Sequence, residues 1–138
     1  MSQHDLKKFS LSFILIFFIG FGLQAQVISN VDTMQVHEFY DNVFIKKLNS
    51  DKNSSTFLIF IKKEVKLHKH LTHSETIYIV EGTGEMTLGD KRLLIQKGDV
   101  LFIPENTPHA VKVTSLKPLK VISIQAPEFD GKDRLFLD

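Results

Sequence analysis

The sequence predicts an all-β sandwich or barrel, and two features of its 138 residues point there. Short β-rich runs recur at intervals of about 8–12 residues with turn signals between them. No window of ten or more residues between Thr56 and Gln125 carries a helical stripe of apolar side chains.

The elements follow in order. Val36–Leu48 (VHEFYDNVFIKKL) is a β-rich opening, with His37 as a structural residue in it, and Asn49–Ser55 is a polar turn. Thr56–Ile61 (TFLIFI) is a continuous apolar run of the kind a fully buried strand gives. Thr76–Val80 (TIYIV) is rich in β-branched and aromatic residues and stops at Glu81-Gly82. Glu85–Leu88 and Arg92–Ile95 flank Gly89-Asp90-Lys91, which reads as a hairpin loop. Val100–Ile103 stops at Pro104, and Ala110–Thr114 and Leu119–Gln125 are separated by Lys117-Pro118. The tail, 127–138, starts polar and then carries Leu135, Phe136 and Leu137, an extension expected to pack on the barrel or on a partner.

The chain begins with features of an export signal. Lys7 and Lys8 precede a 15-residue apolar stretch, Phe9–Leu23, and Ala25 offers a small residue for cleavage. That stretch falls short of the roughly 20 residues a spanning helix needs. Residues 1–25 are therefore expected to be a signal peptide and 26–138 one domain, with a core over about 36–126 and an extension over 127–138. The expected compartment, for a bacterial source, is the periplasm or the exterior, with no membrane attachment once the signal is cleaved.

Charge and cysteine content exclude several classes. Setting aside Lys7, Lys8 and Asp5 leaves 15 basic and 15 acidic residues, so no basic field exists to recruit nucleic acid. With no cysteine, disulfide frameworks, zinc-thiolate sites and Cys nucleophiles are ruled out.

The chemistry lies in two stretches, Lys66–Gly84 and Gly98–His109. The first offers His68, His70 and Glu75, and the second offers His109. Imidazole and carboxylate are the side chains a first-row divalent metal binds. The spacing of His68 and His70 points both rings to one face of a strand. A tight turn after His70 brings Glu75 alongside, and His109 must arrive from a distant strand. His73, between His70 and Glu75, is expected to be exposed in that turn.

These stretches carry a resemblance. His68-Lys-His70, four residues, Glu75, six residues, Gly82 is similar to the first motif of the cupin superfamily. Gly98, five residues, Pro104, one residue, Asn106, two residues, His109 resembles the second. The resemblance implies a small single-domain cupin, a double-stranded β-helix or jelly-roll barrel, with His68, His70, Glu75 and His109 as metal ligands. Lys62 and Asn106 stand where the family usually has Gly, and Val113 where it usually has Asn. None of these is a ligand, and Asn tolerates a left-handed backbone better than most residues.

Three neutral imidazoles and one carboxylate give a divalent site a charge of about +1, with one or two positions left for water or substrate. The ligand set does not choose among Fe, Mn, Ni, Zn and Cu. Tyr78, Glu85 and Gln125 lie in strands and are the acid–base candidates if they face the cavity. Two function classes stay open. One is a small enzyme, a dioxygenase, isomerase or lyase, acting through the metal on a sugar acid, polyol or phenolic compound. The other is a non-catalytic cupin that binds a small carbohydrate-like molecule. A homodimer is expected, built by exchanging or abutting terminal strands.

Overall fold

A computed structural model describes residues 28–137, and the expected signal peptide lies outside them. Ten strands form two antiparallel sheets and no helix appears among the described residues. They are β1 (Val43–Asp51), β2 (Ser54–Ile61), β3 (Glu64–Lys69), β4 (Ser74–Glu81) and β5 (Thr83–Leu88). The rest are β6 (Lys91–Gln96), β7 (Val100–Ile103), β8 (His109–Val113), β9 (Leu119–Ala126) and β10 (Leu135–Phe136). One sheet runs β1-β2-β9-β4-β7 and the other β10-β3-β8-β5-β6. The crossovers needed for β9 to enter between β2 and β4, and β8 between β3 and β5, produce the double-stranded β-helix.

The apolar alternation of the strands fills the space between the sheets. Ile61, Ile79, Met86, Ile95, Leu101, Ile103, Val111, Leu119 and Val121 form one buried cluster. β2 is covered on both sides, as its unbroken apolar run requires. Ile59 and Ile61 turn inward to the cavity, while Phe60 is buried outside beside Lys120. Lys120 is itself buried and donates to the carbonyls of Asp32 and Met34, which fixes the segment before β1 to the outer face.

Two local expectations change. The opening strand starts at Val43, not Val36, and His37 is exposed and outside any strand. Asn42 explains the limit: its side chain receives Lys63 N and Glu64 N and donates to the Glu64 carbonyl, competing with ladder pairing. β1 then runs on to Asp51, and the polar turn shrinks to Lys52-Asn53. There Asp51 Oδ1 accepts the Asn53 and Ser54 amides at 2.8 and 3.1 Å.

The turn residues of the two motifs behave as their chemistry demands. Gly82 sits at φ +90°, and a Cβ there would come within 3.0 Å of the Leu119 backbone. Asn106 takes the left-handed conformation at φ 59°. Its amide donates to the His70 carbonyl at 2.5 Å, joining the two motifs.

Candidate metal centre

β3 delivers His68, and His70 follows just beyond its end, so the two-residue spacing turns both rings inward. The turn Leu71–His73 reverses the chain, and β4 brings Glu75 back alongside. His109 opens β8, whose register pairs it directly with His68. All four residues are buried. One ring nitrogen from each of His68, His70 and His109 lies within 4.8 Å of the others, a grouping that can hold a metal ion.

Each imidazole is oriented by a backbone carbonyl. Nδ1 of His68 bonds the Lys66 carbonyl at 2.8 Å, and Nδ1 of His109 bonds the Thr107 carbonyl at 2.9 Å. Nδ1 of His70 bonds the carbonyl of Asp133. A carbonyl only accepts, so each Nδ1 carries the proton and each Nε2 of a neutral ring presents a lone pair. Burial, and then the neighbouring His109, push His68 down to about 4. His70 is also lowered, chiefly by burial. Both rings are therefore neutral, as ligands must be.

Glu75 stands outside the three-histidine grouping but touches it. Its Oε2 is 3.3 Å from His109 Nε2 and 3.7 Å from His70 Nε2, and Ser123 Oγ donates to Oε1. A carboxylate facing the lone pair of the neutral His70 ring is repulsive unless a cation lies between them. Among the described residues, Nε2 of His70 and of His109 has no hydrogen-bond partner. Both facts fit a divalent ion at this point.

His68, Glu75 and His109 line a cavity of ≈ 360 Å³. Its walls are mostly aliphatic, including Val43, Ile45, Ile59, Ile77 and Val111, with Arg134 and Phe136 contributed by the tail.

Of the acid–base candidates, only Gln125 faces inward. It is buried opposite Glu75 with its Oε1 unpartnered. Tyr78 is exposed on the outer face, and Glu85 is half-buried 3.6 Å from the exposed Arg92. Strand parity puts both outside the cavity.

The exposure expected for His73 is overturned: it is buried. Its Nδ1 meets Asp133 Oδ2 at 2.5 Å, and its Nε2 donates to the Glu128 carbonyl at 2.9 Å. Asp133 also accepts the Leu71 and Thr72 amides and the Thr72 hydroxyl, each at 2.9 Å. The turn sequence itself reads as exposed, and its cover comes from some sixty residues away. Asp133, Arg134 and Ser123 were not legible as site residues, because no motif or periodicity marks them.

A small double-stranded β-helix with buried, inward-facing histidines defines a cupin-type barrel. The cupin domain profile matches residues 58–125, and the chain belongs to the cupin family. It is 39% identical over 72 residues to an uncharacterized protein of Methanocaldococcus jannaschii, covering 52% of this chain and 58% of that one. It is 34% identical over 93 residues to an uncharacterized protein of Aquifex aeolicus, covering 67% and 76%. The match thus spans little more than half of the archaeal relative's length. Among solved structures, an uncharacterized Klebsiella pneumoniae protein with a double-stranded β-helix domain superposes with a TM-score of 0.69 at 17% identity, covering 83% of this chain and 99% of that one.

Proposed function

We propose that this cupin holds one divalent transition ion on His68, His70 and His109, with Glu75 as fourth ligand, and uses it to bind and process a small molecule through an oxygen donor. The observation that carries this reading is the buried approach of Glu75 Oε2 to two unpartnered imidazole nitrogens. A bound divalent ion supplies Lewis-acid polarisation of a ligand oxygen and acidifies bound water. The chain's part is to keep His68 and His70 neutral, fix Nδ1 of all three rings on carbonyls, and line the cavity with aliphatic walls.

Those walls favour a phenolic or otherwise apolar ligand over a polyol, which would leave its hydroxyls unpaired. The test is calorimetric titration of zinc-loaded protein with catechol and with sorbitol. Catechol is expected to bind more tightly and to lose binding in His70→Ala. Tighter sorbitol binding would reject the apolar-ligand reading. Turnover by iron-loaded protein in air but not under nitrogen would mark an oxygen-using enzyme.

One observation favours the second, non-catalytic reading. Outside the metal cluster, Glu64 is the one carboxylate among the described residues lining the cavity. A binding protein needs no further acid or base. Absence of turnover on a phenolic panel, with metal-dependent binding retained, would select it.

Export belongs to the same proposal, supported by Lys7, Lys8, the 15-residue apolar stretch and Ala25. Mass spectrometry of the protein recovered from its native cell should find Gln26 at the N-terminus. An intact 1–25 segment in membranes would point to an anchor.

A further inference from the structure

We infer that the cavity takes a ligand with a carboxylate on a compact apolar body, and that Arg134 binds that carboxylate; this rests on the metal-cupin reading above. Arg134 is held in place from both sides. On one side Asp133 is fixed by Leu71, Thr72 and His73, and on the other β10 pairs with β3 through Leu135–Lys69 and Phe136–His68. The side chain between these anchors lines the cavity together with His68, His109 and Phe136. Its guanidinium lies 5.9 Å from the centre of the Phe129 ring, which itself packs edge-on to His70 at 5.4 Å.

The guanidinium lacks a counter-charge among the described residues. Among the described residues no carboxylate comes within 4.0 Å of it, and its Nε is shielded from solvent without an acceptor. A guanidinium at a cavity wall with no counter-charge is an anion site, and its planar fork of N–H donors matches a carboxylate in two parallel hydrogen bonds. Lys66 and Glu64 also line the cavity, but their charges are opposite and offset each other. With aliphatic walls around the remainder, the complementary ligand is a small monocarboxylate rather than a polyanion.

The test uses full-length mature protein, wild type and Arg134→Gln, titrated first with zinc and then with benzoate or benzyl alcohol. The zinc titration reads the metal site before any carboxylate is added, so wild-type protein that binds no zinc overturns the metal reading on its own. Zinc binding is expected to be equal in the two proteins. Benzoate should bind Arg134→Gln more weakly by about tenfold or more, while benzyl alcohol changes by less than about twofold. Arg134→Lys, with charge but no fork, should fall between. Benzoate binding unaffected by Arg134→Gln, or no tighter than benzyl alcohol in the wild type, would overturn the proposal. So would loss of zinc from Arg134→Gln, which would make Arg134 a support of the metal site instead of a ligand contact.

Discussion

Asp133 and His70 are joined across 63 residues: the backbone carbonyl of Asp133 receives Nδ1 of His70, one of the three clustered imidazoles. The side chain of the same aspartate locks onto the turn that follows His70. The tail is therefore part of the framework that aims this ring, although it lies beyond the cupin match at 58–125.

Removing that lock should loosen the ring without removing a ligand. Asp133→Ala is expected to lower zinc affinity by about 10–100-fold, the usual effect of losing a group that orients a ligand. Zinc competition against a chromophoric chelator measures it, and unchanged affinity would show that the tail does not support the site.

The His73–Asp133 pair also sets a pH window for the tail. Burial lowers His73, but the Glu128 carbonyl and then Asp133 outweigh it and raise the ring. This contribution is complete below the ordinary histidine value of about 6.5 and is lost as pH rises through the raised folded value. Burial raises Asp133, but His73, Thr72 and Leu71 outweigh it and hold it well below the usual carboxylate range. That contribution is complete above about 3.9 and is lost as pH falls through the depressed folded value. The tail should be held best between about 4 and 6.5. The Leu137 amide, which donates to the Leu67 carbonyl at 2.9 Å, reports it through its hydrogen-exchange protection factor. Protection should decline at alkaline pH in the wild type and be low throughout in His73→Asn. Identical profiles would refute the linkage.

Much of the fold is legible because β-branched runs and turn residues agree with the register they form. TFLIFI is buried on both sides, and the Gly89-Asp90 turn lies between β5 and β6 as the composition of that loop implies. His68 and His70 are legible from strand parity and His109 from its motif. Parity alone could not place Tyr78 and Glu85, since one uncounted residue in a turn reverses the face of a whole strand. His73 and Asp133 are illegible for another reason. Each is an ordinary polar residue until the fold brings them together, and no local pattern encodes a contact across sixty residues.

The tail also bears on assembly. β10 pairs with β3 of its own chain, so terminal strand exchange is not needed to place Leu135 and Phe136. A two-fold dimer remains our proposal, now through the outer face of β4, β7 and β9. Tyr78, Val100, Phe102 and Ile124 are exposed there, and strand pairing places them on one side. Sedimentation at micromolar concentration should give the mass of two chains, and Phe102→Asp should give one. A wild-type mass near one chain, unchanged on concentrating, would reject the dimer.

Everything proposed for the cavity depends on a metal held by the histidine cluster. Elemental analysis of protein purified without a His tag and reconstituted with zinc measures it directly. Wild-type protein should hold close to one ion per chain, His70→Ala should lose it, and Glu75→Gln, whose amide keeps the shape but not the charge, should retain it less well. Wild-type protein that holds no metal after reconstitution, or His70→Ala that holds as much as the wild type, would contradict it.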